Sequence, residues 1–179
     1  MIAILGVVFA GGQSTRFGSD KALALMEGFP LIAHAARLLR PFVAVLAISG
    51  RPVMDGFDLA IPDWPNPQLG PLGGLCGALR YGEAHGYSAI LSLPCDTPDV
   101  PPSALSALLT HGGPAYLQDT PVIGLWPCRL ATALSAHLAA DLPRSVRGWS
   151  SLISAEPIAV DARITNVNRP QDLAQMGRE

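Results

Sequence analysis

The sequence has few of the residues from which cysteine or histidine sites are built. Its three cysteines, Cys76, Cys95 and Cys128, lie far apart, and none belongs to a CxxC pair. Their odd number and wide spacing predict neither a disulfide framework nor a zinc site. The four histidines form no HxH or HxxxH pair. Because unpaired cysteines are typical of a reducing compartment, we expect a cytoplasmic location.

Strong charge of one sign and long apolar segments are also absent. The net charge is -2 without any basic run, so a nucleic-acid partner is not expected. No apolar run approaches the length of about 20 residues that a membrane span requires, and we expect no membrane association. The apolar N-terminus lacks the positive start of a signal peptide and predicts a first strand instead. With 179 residues, of which 49% are hydrophobic, the chain predicts a single folded domain over 1–179 with a large core.

Two widespread phosphate-binding loops are missing from the glycine-rich N-terminal segment. The pattern GxxxxGK[ST] fails because Gly18 is followed by Ser19 and lies one position too far from Gly12. The pattern GxGxxG fails because Gly11 and Gly12 are adjacent. The second absence disfavours an oxidoreductase built on a dinucleotide-binding fold.

A glycine pair after the first predicted strand is the most informative feature that is present. The apolar run 5–9 predicts a buried strand, which ends at Gly11 and Gly12 and is followed by Arg16 and Lys21. Paired glycines let a backbone turn sharply and direct its N–H groups toward an anion. The segment therefore predicts a phosphate site at the carboxyl end of a strand. The alternative is a glycine-rich turn with scattered surface charges.

Apolar runs and helically spaced apolar residues alternate along the rest of the chain. Further strands are predicted at 42–48, 59–61, 88–93 and 122–126, and helices at 31–39, 72–81, 103–109 and 130–138. This alternation predicts an α/β fold, a three-layer sandwich with a mostly parallel central sheet. Such sheets bind ligands beyond the carboxyl ends of their strands, so we expect the glycine loop, Asp63 and Asp96 at one edge.

Asp96 directly follows a predicted strand and lies between Pro94 and Pro98. Prolines restrict the backbone, so we expect the position of this carboxylate to be fixed. Because Mg²⁺ takes one or two carboxylates together with ligand phosphates, Asp96 is a predicted metal ligand. The other role open to it is a helix cap before Pro101, but Asp99 fits that role better, and we expect Asp99 to be the cap.

The segment PDWPNPQLGPLGGL, residues 62–75, supplies a further candidate carboxylate. Asp63 is able to accept hydrogen bonds from a base edge or a ribose, or to form an Asx turn, and its sequence context alone favours the turn. Glycines such as Gly73 permit close approach of a backbone. Ser49 and Gly50, at the end of the second predicted strand, are weaker candidates for the same pocket.

Four segments in order resemble the molybdenum cofactor guanylyltransferase family of small nucleotidyltransferases. They are AGGQSTRFGSDKAL, GPLGG with its upstream Asp, PCDTP, and NVNRPQDL near the C-terminus. Phe9 and Phe17 depart from the family's usual pattern, LAGGxSxRMGxDKxLL, by apolar exchanges only. The double glycine and the NVN segment favour the guanylyl branch, because the related cytidylyl branch usually shows LAAG. The resemblance covers residues 6–173.

The resemblance implies a Rossmann-like nucleotidyltransferase fold and a Mg²⁺-dependent transfer of GMP from GTP to the phosphate of molybdopterin, with release of pyrophosphate. It implies catalysis by Arg16, Lys21 and Asp96, with Asp96 also binding the metal, and an acceptor side formed by Asn166 and Asn168. The residues that it implies for nucleotide binding are Phe9, Ala10, Gly11, Gly12, Lys21, Ser49, Asp63, Gly73 and Asp96. GTP and molybdopterin, or the molybdenum cofactor, are the implied partners, together with cofactor-delivery proteins or acceptor molybdoenzymes. Because a phosphate nucleophile is already an anion, no catalytic His or Cys is expected.

Several alternatives stay open. The nucleotide could be CTP, the acceptor could be another phosphorylated metabolite, or the chain could be a catalytically silent nucleotide-binding module. The presence of Arg16, Lys21 and Asp96 together argues against the silent module. Turn formation before a proline is another role for Asn168. The segment RSVRGW, residues 144–149, is either a solvated helix face or a basic rim for the acceptor's phosphate.

Overall fold

The computed structural model describes residues 3–11, 17, 20–67, 69–140 and 142–176. Its strands are β1 (Ile4–Phe9), β2 (Leu25–Met26), β3 (Phe29–Pro30), β4 (Val45–Ser49), β5 (Leu59–Ile61), β6 (Ala89–Pro94), β7 (Ala115–Leu117), β8 (Thr120–Pro127) and β9 (Glu156–Ile158). Its α-helices are α1 (Leu31–Leu39), α2 (Pro71–Ala84), α3 (Pro102–His111), α4 (Ala131–Ala139), α5 (Val146–Leu152) and α6 (Pro170–Met176). None of the helices in these ranges combines the length and the apolar character that a membrane crossing requires.

Seven of the described strands form one sheet in the order β5-β4-β1-β6-β8-β7-β9. Strands β5, β4, β1 and β6 run parallel to one another. Strand β8 runs antiparallel to both β6 and β7, and β9 is parallel to β7. The predicted α/β fold with a mostly parallel sheet is thus confirmed. The carboxyl ends of β5, β4, β1 and β6 and the amino end of β8 meet at one edge, which we call the C-edge.

Helices cover both faces of the sheet and complete three layers. Leu5 and Val7 pack on the face that is covered by α2, α4 and α5. Val8 packs on the opposite face, among residues of α1 and α3. All three side chains are fully buried. A strand that is covered on both faces needs apolar residues at every position, which explains the continuous apolar run that predicts β1.

The element boundaries differ from the predictions where proline changes the local geometry. Strand β4 begins at Val45, not at residue 42, because Arg40–Phe42 forms a 3-10 turn with proline near its start. Helix α2 is longer than predicted at both ends and begins at Pro71, where proline is favoured because its missing N–H would have no helical partner. The predictions also omit β2, β3, β7, β9, α5 and α6. These elements are two to seven residues long, too short to show a period.

Candidate active site

A cavity of about 270 Å³ opens at the C-edge. Residues at the ends of β1, β4 and β6 or shortly after β5 form its wall, together with the amino end of β8 and the start of α2. The lining residues are Phe9, Gly11, Lys21, Ser49, Gly50, Asp63, Gly70, Pro71, Gly74, Pro94, Cys95, Asp96, Thr120, Val122 and Asn166. Gly11, at the start of the glycine loop, therefore lies at one edge with Asp63 and Asp96, as the sequence predicts.

Two glycine backbones meet where β1 and β4 end. A Cβ atom on Gly11 would lie 2.9 Å from the Cα of Gly50, and one on Gly50 would lie 2.3 Å from the Cα of Gly11. Gly50 has a φ of 87°, in the left-handed region that favours glycine. The N–H of Ala10 donates to the carbonyl of Ser49 at 2.9 Å, so the backbone segments at the ends of β1 and β4 stay paired up to the cavity. Side chains at either glycine would force the loop after β1 away from β4.

A lysine and an aspartate from distant motifs form an ion pair in the cavity wall. Lys21 Nζ donates to Asp96 Oδ2 at 2.6 Å, and the two side chains are only 18% and 19% exposed. Lys21 begins a 3-10 turn, which Asp20 caps by accepting a hydrogen bond from the N–H of Ala22 at 3.2 Å. The cap fixes the start of the turn and hence the direction of the lysine.

Asp63 is held against the cavity by the neighbouring strand and by the start of α2. Ser49, which is almost fully buried, donates from Oγ to Asp63 Oδ1 at 3.2 Å. A Cβ atom on Gly73 would lie 3.4 Å from Asp63 Oδ2, so this glycine lets the first turn of α2 approach the carboxylate. The Asx turn considered for Asp63 is excluded because residue 65, its required N–H donor, is Pro65.

The segment that carries the C-terminal asparagines is fastened to the loop after β6. Val167 donates its N–H to the carbonyl of Asp96 at 2.9 Å. Thr165 donates its N–H to both carboxylate oxygens of Asp99, at 3.1 and 3.0 Å. Asn166 lies between these two anchors and lines the cavity.

The helix-cap role predicted for Asp99 is wrong. Pro101 precedes α3, and no side chain of the described residues caps this helix end. The helix has Pro102 as its first residue, and proline has no N–H that would need a cap. The Asp99 carboxylate is thus available to hold the C-terminal segment.

Several predicted site residues are not brought to the cavity wall. Of the described residues, Asn168 stays outside the lining and donates its N–H to Asp172 Oδ2 at 2.7 Å. Ala10 and Gly73 do not line the cavity. They contact residues that do, because Ala10 bonds to Ser49 and Gly73 lies beside Asp63. Gly12 and Arg16 lie outside the described residues.

The segment 144–149 is also outside the lining within the described ranges. Arg147 donates to the carbonyl of Gln118 at 2.7 Å. Ser145 caps α5 by accepting from the N–H of Gly148, and Trp149 is buried. Neither Ser145 nor Trp149 therefore belongs to a simple solvated helix face.

Cys95 lies in the cavity wall but is not a thiolate. Burial, and then the negative charge of the adjacent Asp96, raise the pKa of Cys95 to about 12. Burial also raises the pKa of Cys128, to about 11. These thiols stay protonated at neutral pH, and nucleophilic chemistry requires the thiolate.

Thr120, Val122 and Arg51 are among the residues in or near the cavity that are absent from the sequence-based site. Thr120 and Val122 belong to β8, whose amino end reaches the C-edge because the strand is antiparallel to β6. No sequence signal distinguishes that direction. The third residue, Arg51, follows Ser49 and Gly50 at the end of β4. A cation directly after a predicted parallel strand could have indicated from the sequence that this residue lies near the site.

Asp96 and Asp63 are the carboxylates among the described lining residues that could hold a divalent cation. Hard cations such as Mg²⁺ bind carboxylate oxygens together with ligand phosphates. Among the described residues there is no group of three or more His, Cys, Asp or Glu side chains that would hold a metal by itself. The donor set therefore fits a metal that shares its ligands between Asp96 and a bound phosphate compound.

A mostly parallel sheet with Gly11, Lys21 and Asp96 around one cavity at its C-edge agrees with the nucleotidyltransferase class that the sequence motifs indicate. Residues 6–156 match the MobA-like NTP transferase domain, and the chain belongs to this family.

Relatives and solved structures agree with this assignment. The molybdenum cofactor guanylyltransferase of Cereibacter sphaeroides is 35% identical over 184 aligned positions, covering 96% of this chain and 94% of the relative. That of Rhodobacter capsulatus is 33% identical over 180 positions, with the same coverage of 96% and 94%. The fold is similar to that of molybdopterin-guanine dinucleotide biosynthesis protein A from Archaeoglobus fulgidus, with a TM-score of 0.72 at 20% identity over 96% of this chain and 95% of that one. A Mycobacterium tuberculosis protein determined in complex with manganese has a TM-score of 0.63 at 18% identity, covering 97% of each chain.

Proposed function

We propose that this protein transfers GMP from GTP to the phosphate of molybdopterin and releases pyrophosphate. The observation that carries the proposal is the meeting of Lys21 and Asp96 in one cavity wall, because the two residues come from separate motifs and supply the two charges that nucleotidyl transfer needs. Relatives of 33% and 35% identity that are named molybdenum cofactor guanylyltransferases support the choice of nucleotide and acceptor. In this proposal residues 1–179 act as one domain in the cytoplasm. Cofactor-delivery proteins and acceptor molybdoenzymes are the partners that this activity would have.

The charges that develop during the reaction match the groups around the cavity. An oxygen of the acceptor phosphate would attack the α-phosphorus of GTP, and the bond from this phosphorus to the oxygen of the β-phosphate would break as pyrophosphate leaves. Negative charge spreads over the α-phosphoryl and leaving oxygens in such transfers. The N–H groups of Gly11 and Gly12, together with Arg16 and Lys21, would stabilise that charge. The acceptor phosphate needs no general base, and this agrees with the protonated thiol of Cys95.

Asp96 would hold Mg²⁺ together with the triphosphate. A bound magnesium ion supplies positive charge to the phosphate oxygens as a Lewis acid. The carboxylate already binds a cation, the Lys21 ammonium, which supports its role as a cation ligand. The manganese complex of the structurally similar Mycobacterium tuberculosis protein supports dependence on a divalent cation.

The two sides of the cavity suit different parts of the reactants. Helix α2 begins at Pro71, and a helix N-terminus attracts phosphate through its N–H groups and dipole. On the same side, Ser49 and Asp63 would bind the base or ribose. On the opposite side, Asn166 and Thr120 would face the acceptor. Asn168 is left out of this acceptor side because, of the two asparagines, only Asn166 lines the cavity.

Nucleotide binding tests the proposal without any acceptor. Calorimetry with GTP, ATP, CTP and UTP in the presence of Mg²⁺ should show the tightest binding for GTP. Tighter binding of CTP would overturn the guanylyl assignment and favour a cytidylyl transfer. A protein that binds none of the four would not be a nucleotidyltransferase of this kind.

A further inference from the structure

We propose that Arg51 is a positioning residue that ties together the two ends of the glycine loop, residues 11–19. Arg51 Nε donates to the carbonyl of Ala10 at 3.2 Å, and Arg51 Nη2 donates to Asp20 Oδ1 at 2.9 Å. Ala10 directly precedes the loop and Asp20 directly follows it. One guanidinium group therefore bonds the residues on both sides of the segment that carries Gly11 and Gly12.

The backbone around Arg51 explains why the side chain reaches both ends. Gly50, with its left-handed φ of 87°, turns the chain at the end of β4 and packs against Gly11. This turn brings Arg51 beside the carboxyl end of β1. The Arg51 side chain is only 16% exposed, whereas that of Asp20 is 43% exposed, so the contact with the carbonyl of Ala10 is the more shielded of the two. The guanidinium is planar and offers donors in different directions, which a lysine ammonium on a flexible stem does not reproduce.

Holding Asp20 also sets the position of the lysine in the cavity. The Asp20 carboxylate accepts from Arg51 and from the N–H of Ala22, and it thereby fixes the 3-10 turn that begins with Lys21. The hydrogen bond from Arg51 contributes most to lowering the pKa of Asp20, so this carboxylate stays charged at neutral pH. Arg51 itself is absent from the described residues that line the cavity, so it acts through its neighbours.

The effect on the loop can be measured without any nucleotide. In hydrogen exchange on the nucleotide-free protein, Arg51→Ala should speed the exchange of backbone amides in residues 11–21 by about tenfold, the size expected for losing a charge-assisted hydrogen bond. Arg40→Ala is the matched control, because Arg40 bonds Asp58 and the carbonyl of Gly56, each at 2.8 Å, away from the cavity. It should leave exchange in 11–21 unchanged. Equal exchange of this segment in Arg51→Ala and the unaltered protein would overturn the proposal.

The consequence for binding rests on the proposed function and is measured separately. Arg51→Ala should weaken GTP binding about tenfold, because the nucleotide must then order the loop itself. The Michaelis constant should rise by a similar factor while kcat changes less. Arg51→Lys should not restore the affinity, whereas Arg40→Ala should keep it.

A double variant separates this link from a general loss of stability. Asp20→Asn keeps an acceptor for Ala22 but loses the charge that pairs with Arg51, so its effect on GTP affinity should be less than additive with that of Arg51→Ala. Strictly additive effects, or equal losses in Arg40→Ala, would contradict the positioning role. If the unaltered protein binds no nucleotide, the proposed function fails, and the exchange experiment still decides whether Arg51 holds the loop.

Discussion

Asp96→Asn removes one negative charge from the cavity wall and keeps both the size of the side chain and one acceptor oxygen. In the structure Asp96 Oδ2 accepts a hydrogen bond from the Lys21 ammonium at 2.6 Å, and the Asp96 side chain is 19% exposed. Asparagine can still accept that hydrogen bond, so we expect the fold to tolerate the change. What it cannot supply is the charge that would hold Mg²⁺.

The expected effect has opposite signs with and without the metal. With Mg²⁺, transfer should fall at least about a hundredfold, which corresponds to about 2.7 kcal/mol of activation free energy. Without Mg²⁺, the variant no longer repels the triphosphate. One unit charge at about 6 Å in a water-like dielectric contributes about 0.7 kcal/mol of repulsion, so metal-free GTP should bind about threefold more tightly.

Calorimetry with GTP in EDTA, and turnover measured across a range of Mg²⁺ concentrations, would separate these effects. Raising Mg²⁺ should restore part of the lost turnover of Asp96→Asn. Asp58→Asn is a suitable control, because Asp58 pairs with Arg40 at 2.8 Å and is not one of the described cavity residues. Wild-type turnover with unchanged Mg²⁺ dependence in Asp96→Asn would refute the assignment of the metal to this carboxylate.

Three further changes test other parts of the account. Lys21→Ala should lower turnover by about a hundredfold, because one group that stabilises the charge of the transition state is lost, and should have little effect on the melting temperature. Normal turnover would show that Lys21 serves only as an ion-pair partner of Asp96. In urea unfolding, Gly50→Ala should destabilise the fold by about 1–3 kcal/mol more than Gly56→Ala. Both glycines have φ near 90°, but of the two only Gly50 lies against another backbone segment. Equal losses of stability in the two variants would contradict the contact between Gly50 and Gly11. The hydrogen bond from Arg40 holds the pKa of Asp58 below its usual range. The charged Asp58 carboxylate therefore stabilises the fold above about pH 4, and this stabilisation is lost as the pH falls through the lower pKa of the folded state. Asp58→Asn should therefore melt below the unaltered protein at pH 7, with the difference shrinking below pH 4; a constant difference across this range would contradict the linkage.

Long regular elements and glycine-dependent turns could be predicted from the sequence. Strand β1 is apolar at every position because helices cover both of its faces, and α1 shows its period over nine residues. The parallel strands then bring the segments that follow them to one edge, which is why Lys21, Asp63 and Asp96 were expected together.

Contacts that depend on strand direction or on tertiary partners could not be predicted. The reversal of β8 brings Thr120 to the cavity, but an apolar run has the same appearance in either direction. Asp99 was assigned to the nearest helix end, whereas its partner, Thr165, is distant in sequence. Arg51 likewise bonds to residues that are far from it along the chain.

Product formation from a panel of nucleotides tests the central claim most directly. The purified protein would be incubated with Mg²⁺, molybdopterin and either GTP, ATP, CTP or UTP, and both pyrophosphate release and the mass of the modified pterin would be measured. The account predicts rapid pyrophosphate release with GTP and a product heavier by one GMP unit, with the other nucleotides much slower. Faster transfer from CTP, or pyrophosphate release without a nucleotide attached to molybdopterin, would contradict it.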